Sequence, residues 1–211
     1  MSEQEYEKKK VSTSFGLIRH APTLWNKKKL IQGSSDIALS TDGKKTARLW
    51  SQSLAGYGFD LILTSPLERA KKTGLLINES LNLVIHEEPG LREQNWGDFE
   101  GKSIKDIRAN DKNKLADMEA MGWGFCPPGG ESRSQVLNRA INSLENAVSK
   151  WPGKNILVIT HQGLIKCLLY YLMGRRFLPD ESKINIKDKI HFIMQGKDRL
   201  AIKKSVNFIK P

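Results

Sequence analysis

Arginine and histidine side chains stand at the ends of three short apolar runs of this chain. The stretches are LIRH at 17–20, LILTSPLERA at 61–70 and VITHQG at 158–163. Each is typical of a buried strand that gives way to a loop or a helix. In a parallel sheet such carboxyl ends lie along one edge, where ligands bind. We therefore expect Arg19, His20, Arg69 and His161 to meet in one crevice although they are far apart in sequence.

The chemistry of these four side chains favours a phosphate over a metal ion. Guanidinium groups repel metal cations but match phosphate oxygens in bidentate pairs. Arg69 lies in the first turn of its predicted helix, where the helix dipole disfavours a cation unless an anion binds there too. Taken singly, each residue also has a plainer interpretation. A histidine after a strand is often a satisfied polar group at the rim of a sheet, and a surface arginine is tolerated.

The sequence gives little support for a metal ion or a nucleic acid as the ligand. The chain has four histidines and none of the HxH, HxxxH or HExxH spacings of metal sites, so we expect no metal and no cofactor. The net charge is +11, but the lysines are scattered and no aromatic-interleaved basic motif occurs. We expect no nucleic-acid partner, and a positive field that attracts small anions.

Composition indicates a folded cytoplasmic protein. Of 211 residues, 39% are hydrophobic and 27% charged, which suits one domain with a core and argues against disorder. No apolar run approaches the roughly 20 residues of a membrane helix, and the N-terminus lacks an apolar signal segment. Cys126 and Cys167 show no CxxC spacing and fit free thiols in a reducing compartment. No membrane partner is expected.

Apolar strands alternate with amphipathic helices along the chain. Strands are predicted at 15–18, 60–64, 81–86 and 155–160, and a hairpin turning near 196–198 ends the chain. Residues 103–121 are predicted as one or two polar helices, and 122–132 as a loop. This alternation predicts an α/β fold with a mostly parallel sheet. Residues 1–14 are predicted to be a flexible tail, and 15–211 a single domain.

Helix starts are marked by serines. Ser40 precedes a helical pattern, and a last helix is predicted to run from 161 through Met173. Two capping boxes are predicted. One joins Ser65 and Glu68, with Pro66 at the first helical position, and the other joins Ser132 and Gln135.

Five separated motifs occur in one order: RHAPTLWN, LIQGSSDIALSTDG, TSPLERAKKT, LREQNWGDFEG and VITHQG. Together they resemble the histidine phosphatase superfamily, the phosphoglycerate-mutase-like group named for its Arg-His-Gly signature. The resemblance covers residues 15–175. It implies a three-layer α/β/α fold and a phosphatase acting on a small phosphorylated metabolite.

The resemblance also implies roles for single residues. His20 would be the nucleophile and Glu93 the proton donor, ahead of the nearby Asp98 and Glu100. The remaining implied site residues hold or line the phosphate pocket: Arg19, Asn26, Gln32, Gly33, Arg69 and His161. Two residues depart from the pattern: Ala21 and Gln162 stand where glycines are usual, and neither change removes a chemical group.

Elementary chemistry agrees with these roles. Arg19, Arg69 and a charged His161 would lower the pKa of His20, as like charges do, and so keep its ring neutral. The same cations would stabilise the oxygens of a transferring phosphoryl group. A covalent phosphohistidine divides one hard displacement into two.

Three functions remain open on the sequence. They are a phosphatase for small phosphomonoesters, a cofactor-dependent phosphoglycerate mutase, and a non-catalytic phosphate-binding protein. The last predicts a missing nucleophile or acid, and neither is missing. The stretch between GDFEG and PPGGES is modest, whereas the mutases that this chain resembles carry extra sequence there, so the phosphatase is favoured. The motifs specify neither the alcohol part of the substrate nor the oligomeric state.

Overall fold

A computed structural model describes residues 12–110, 112–196 and 199–207 of the chain. Its centre is a six-stranded sheet in the order β3-β2-β4-β1-β5-β6. The strands are β1 (Ser14–Arg19), β2 (Leu61–Thr64), β3 (Val84–Glu87), β4 (Asn155–Thr160), β5 (Lys189–Gln195) and β6 (Leu200–Asn207). The first four strands run parallel, and β5 and β6 are antiparallel to their neighbours. The predicted mostly parallel sheet is confirmed.

Seven α-helices accompany the sheet within the described residues. They are α1 (Leu24–Lys27), α2 (Thr41–Ala55), α3 (Glu68–Leu81), α4 (Ile104–Asn110), α5 (Lys112–Ala120), α6 (Arg133–Lys150) and α7 (Gln162–Leu172). Short 3-10 turns lie at Pro89–Leu91, Gly97–Phe99 and Gly122–Gly124. None of the described helices is long and apolar enough to cross a membrane.

The central strands are apolar throughout because both of their faces are covered. Ile156 and Val158 of β4 pack with apolar residues of α6 and α7, while Leu157 and Ile159 pack with those of α2 and α3. Alternate residues of a strand point to opposite faces, so one apolar run serves two cores. The resulting three-layer α/β/α arrangement confirms the predicted fold class.

The predicted start of α3 was wrong. The helix begins at Glu68 with Leu67 as its N-cap, and no Ser65–Glu68 capping box forms. Ser65 continues the strand, because its N–H donates to the Ile159 carbonyl at 3.0 Å. The cap comes instead from Asp36, whose Oδ1 accepts the Glu68 N–H at 2.7 Å. A cap supplied from another loop leaves no local sequence signal.

Several other boundaries were close to prediction. The Ser132–Gln135 capping box is present, and α7 ends at Leu172 with Met173 as its C-cap. The strand expected at 81–86 is shifted to Val84–Glu87, because α3 runs to Leu81. The polar segment 103–121 forms two helices, α4 and α5.

The two ends of the chain can be compared only in part with prediction. The hairpin strands β5 and β6 are present, but the predicted turn residues 197–198 lie outside the described residues, as do residues 1–11 of the predicted tail. Thr13 and Ser14 belong to the fold rather than to a tail. Thr13 Oγ1 donates to the Trp151 carbonyl at 3.2 Å, and Ser14 opens β1.

His191 of β5 provides a test of this packing. Its Nδ1 lies 2.8 Å from Ser205 Oγ, and its Nε2 is buried without a partner. Burial, helped by Lys189, lowers its pKa from 6.5 to about 4. The neutral ring is therefore favoured in the folded protein, and between these two pH values the unfolded chain binds more protons.

We expect the free energy of unfolding to fall as the pH drops from 6.5 towards 4. The contribution of His191 is on the order of 2 kcal/mol, after a discount for screening. Urea unfolding at several pH values should show a shallower pH dependence for His191→Gln than for the wild type. His20 and His161 are common to both proteins, so the difference isolates His191. An equal pH dependence of the unfolding free energy in the two proteins would contradict the role given to His191.

Candidate active site

The ends of β1 and β4 bring two histidines together. Arg19 pairs with Thr160 in the parallel register, and the His20 N–H donates to the Thr160 carbonyl at 2.9 Å. His20 and His161 follow these strands directly, and their ring centroids are 5.2 Å apart. Both rings are buried. The strand ends therefore create the crevice that the sequence predicts for these histidines.

The His20 ring is held in one tautomer. Its Nδ1 lies 2.7 Å from the Ala21 carbonyl oxygen. Because a carbonyl oxygen can only accept, Nδ1 carries the proton and Nε2 keeps a free lone pair. The pKa of His20 is lowered well below its usual value, first by burial and then by Arg19 and Arg69. Sequence reasoning named the cations as the cause, but burial is the larger one.

The surroundings of His161 favour its neutral ring. Its pKa is lowered well below the usual value by burial, then by Arg69, His20 and Arg19. The charged His161 considered from the sequence is therefore disfavoured without a bound anion. Its Nε2 lies 2.7 Å from Ser65 Oγ, and its Nδ1 is buried without a partner. Ser65, predicted as a helix cap, thus serves the site instead.

Arg69 has no solvent-exposed surface and supports a turn of the chain. Its Nη1 donates to the Ser35 carbonyl at 2.8 Å, and its Nη2 to the Gly33 carbonyl at 2.7 Å. Its Nε is buried without a partner, as is the Nε of Arg19. Burial is the largest cause of the lowered pKa of both arginines.

Glu100 holds the same turn from the other side. Its carboxylate accepts the N–H groups of Ser34 at 2.7 Å and Ser35 at 2.9 Å, together with the Ser35 hydroxyl at 2.6 Å. Gly33 has a φ of +51°, which side chains disfavour, and its backbone packs against Glu100. Residue type alone does not distinguish Glu100 as a structural carboxylate from Glu93, which the sequence favoured as the acid only through the family resemblance.

Gln32 and Asn26 differ in how far their side-chain oxygens already have hydrogen-bond partners. Gln32 is buried beside this turn, and its Oε1 has no partner. Asn26 Oδ1 accepts from the N–H of Thr23 at 2.9 Å and from its hydroxyl at 3.1 Å, which closes a capping box on α1. The amide oxygen of Asn26 is therefore engaged locally, and only its Nδ2 is left for a ligand.

Glu93 lies at the N-terminus of α7, the helix that has His161 as its N-cap. Its Oε2 accepts the Gly163 N–H at 3.1 Å, and its Oε1 accepts those of Leu164 at 3.3 Å and Gln94 at 3.0 Å. Its negative charge opposes the effect of burial on the pKa of Arg19 and of Arg69. The implied acid is thus near both implied guanidinium clamps.

A partly buried ion pair fixes the backbone that carries Glu93. Arg139 Nη1 donates to the carbonyls of Gly90 and Arg92, both at 2.6 Å, and Nη2 donates to that of Glu93 at 3.0 Å. Arg139 is itself paired with Glu131 at 2.7 Å. Thr160 Oγ1 adds a bond to the Leu91 carbonyl at 2.7 Å. Sequence reasoning missed these residues, since the contacts span tens of positions.

The site is a cluster of cations with few carboxylates and no evident metal centre. The described residues contain no group of three or more His, Cys, Asp or Glu side chains that would hold a metal ion. A cavity of about 710 Å³ lies between α7 and β6, and none of the site residues lines it.

Four buried polar atoms in the site lack partners: Arg19 Nε, Gln32 Oε1, Arg69 Nε and His161 Nδ1. An anion with several oxygen atoms would satisfy the donors among them.

Comparison with known proteins places the chain in a family. The model of the histidine phosphatase superfamily (branch 1) matches residues 15–185. The chain belongs to this superfamily. Among its relatives is the uncharacterized phosphatase PhoE of Bacillus subtilis (strain 168). It is 30% identical over 162 residues, which cover 77% of this chain and 78% of that protein.

Other relatives of this chain carry a second activity in their names. A probable phosphoglycerate mutase GpmB of Yersinia enterocolitica is 31% identical over 171 residues, or 81% of this chain and 78% of that protein. A solved mycobacterial glucosyl-3-phosphoglycerate phosphatase, complexed with VO3, superposes with a TM-score of 0.78 at 26% identity. The match covers 90% of this chain and 97% of that one. The superfamily thus includes both phosphatases and mutases.

We expect His20 and His161 to stay neutral well below pH 6.5 in the protein without ligand. Burial and the neighbouring arginines disfavour a further positive charge. NMR of histidine-labelled protein, titrated from pH 7.5 downwards without phosphate or sulfate, measures this directly. The signals are assigned with His20→Gln and His161→Gln. A midpoint at or above 6.5 for either ring would contradict the electrostatics described above.

Glu100→Gln should weaken phosphate binding about tenfold or more, because charge-assisted bonds to the Gly33–Ser35 turn are lost and Arg69 loses its support. Asp98→Asn is the matched control, since Asp98 is an exposed carboxylate two positions away. Calorimetric titration with inorganic phosphate gives the affinity of each protein. If the two variants bind equally well, the turn does not depend on Glu100.

Proposed function

We propose that this chain is a phosphomonoester hydrolase that acts through a phosphohistidine on His20. The observation that carries the proposal is the tautomer of His20. Its Nδ1 proton is committed to the Ala21 carbonyl at 2.7 Å, so the Nε2 lone pair is available. Buried guanidinium nitrogens without partners in the same site supply the means to hold a phosphoryl group.

In the first half-reaction, Nε2 of His20 attacks phosphorus. The nitrogen–phosphorus bond forms as the ester oxygen–phosphorus bond breaks, and the electron pair leaves on the alcohol oxygen. Glu93, in its protonated form, gives its proton to that oxygen. Arg19 and Arg69 stabilise the charge on the transferring oxygens. The bond from Nδ1–H to Ala21 stabilises the positive ring that results.

In the second half-reaction, water attacks the phosphohistidine. Glu93 takes a proton from the water, the nitrogen–phosphorus bond breaks, and its electron pair returns to Nε2. Inorganic phosphate leaves and the enzyme is restored. Side chains supply all the positive charge in this scheme, so we propose that the reaction needs no metal ion.

His161 acts as a hydrogen-bond donor in this proposal. Ser65 Oγ accepts the Leu67 N–H at 3.3 Å, and in this proposal the serine hydroxyl donates to His161 Nε2 at 2.7 Å. In that tautomer Nδ1 carries the proton and has no partner in the protein. A phosphoryl oxygen would accept from it. Gln32, the backbone at Gly33 and Asn26 Nδ2 are proposed to line the pocket around that group.

The substrate is proposed to be a small phosphorylated metabolite. PhoE is named as a phosphatase, and the superposed mycobacterial enzyme is named for a phosphorylated sugar–glycerate conjugate. The second candidate is a phosphoglycerate mutase, which the GpmB relatives support by name. The phosphatase is preferred because only α4, α5 and one short turn separate the Glu93 segment from Pro127. Cytoplasmic location stays a prediction, consistent with free thiols at Cys126 and Cys167.

The wild type should release phosphate from p-nitrophenyl phosphate in the presence of a chelator, and His20→Ala should lower the rate about a thousandfold or more. His86→Ala, a histidine outside the site, is the control that keeps its activity. Wild type labelled with radioactive phosphate should yield an acid-labile phosphoprotein. Inactivity on phosphomonoesters combined with interconversion of phosphoglycerates would replace the phosphatase by the mutase.

A further inference from the structure

The carboxylate of Glu93 fits against α7 only because residue 163 has no side chain. A Cβ atom at Gly163 would overlap Glu93 Oε1 and lie 3.2 Å from the carboxyl carbon. The glycine N–H meanwhile donates to Oε2 at 3.1 Å. The carboxylate therefore occupies the space that any side chain at 163 would take.

The helix itself gives no reason for a glycine here. Gly163 is in the first turn of α7, and its φ is not in the left-handed region. Alanine is favoured over glycine inside helices by about 1 kcal/mol. Neither helix propensity nor backbone conformation therefore explains a glycine at this first-turn position, and the space that its missing side chain leaves is the remaining explanation.

We infer that Gly163 is a positioning residue for Glu93. Its bare backbone lets the N–H groups at the start of α7 hold the carboxyl group beside His161. The inference rests on the proposed function, in which Glu93 protonates the departing alcohol. It extends that function to a residue that makes no contact with the reacting atoms through its side chain.

The surroundings determine what must move if a methyl group is added. Arg139 donates a hydrogen bond to the Glu93 carbonyl, and Thr160 donates one to the Leu91 carbonyl. On the other side, Leu164 and Ile165 fix α7 by complete burial. The backbone on both sides is therefore held, so we expect an added methyl group to displace the carboxyl end of Glu93 rather than either backbone. Gly163→Ala should leave the fold intact and displace the acid.

Leaving-group dependence separates a displaced acid from a damaged pocket. Departure of p-nitrophenolate needs little protonation, whereas an alkyl alcohol needs a proton in the transition state. The parameter kcat/KM reports only the steps up to the first irreversible one, which is alcohol release. Loss of the acid therefore lowers kcat/KM for an alkyl phosphate selectively. Damage to the phosphate pocket lowers it for both substrates alike.

The experiment compares kcat/KM for glycerol phosphate and p-nitrophenyl phosphate in wild type, Gly163→Ala, Glu93→Gln and the double variant. Gly56→Ala is the matched control, because Gly56 ends α2 and a Cβ there meets nothing within 4 Å. For Gly163→Ala we expect a loss of about 100-fold on the alkyl ester, less than about fivefold on the aryl ester, and an unchanged or higher Tm. In the Glu93→Gln background the glycine substitution should add no further selective loss.

The outcomes separate this inference from the proposed function. An unchanged alkyl rate in Gly163→Ala, or an equal loss on both esters, overturns the role of Gly163 and leaves the phosphatase standing. So does a further selective loss when the substitution is added to Glu93→Gln. A wild type without activity on either ester overturns the proposed function itself. A Glu93→Gln variant without selective loss on the alkyl ester removes the acid role of Glu93, and this inference with it.

Discussion

The parallel pairing of β1 with β4 is the constraint on which the site depends. The register puts Arg19 opposite Thr160, so the residues that follow the two strands, His20 and His161, emerge side by side. A slip of one residue would reverse the faces of a strand and bury the wrong side chains, so two apolar cores resist it. The geometry of the two histidines is thus set by the packing of the strands, and the loops around them need only add ligands.

Burial gives the site its electrostatic character. Removing Arg19 and Arg69 from water destabilises their charges. Among the described residues, only the Glu93 carboxylate raises the pKa of both arginines, and it also accepts a hydrogen bond from the start of α7. The same burial lowers the pKa of both histidines, which favours the neutral ring that a nucleophilic imidazole requires. A phosphoryl dianion offsets the charge and accepts from the unpartnered donors. In the proposed function, affinity for phosphate and the reactivity of His20 therefore share one physical origin.

The sequence predicted what local patterns encode. Strands β1, β2 and β4 are continuous apolar runs, so their positions and the convergence of His20 with His161 could be predicted. The start of α3 could not, because Ser65 is used by His161 and the cap comes from Asp36. The same holds for Arg139, whose partners lie up to 49 positions away. Contacts of this kind arise from the tertiary fold and have no period or motif in a single sequence.

Two glutamates seven positions apart illustrate the same limit. Glu93 and Glu100 both lie in the Gly-punctuated stretch GLREQNWGDFEG, and by residue type they are equivalent candidates for the acid. The structure separates them by their donors. The Glu100 carboxylate accepts the N–H groups of Ser34 and Ser35, so it supports the turn to which Arg69 also donates hydrogen bonds. Glu93 faces the start of α7, where a glycine leaves room for it. Backbone N–H groups hold both carboxylates, and the proposed proton transfer is assigned to Glu93 because its charge acts on both Arg19 and Arg69.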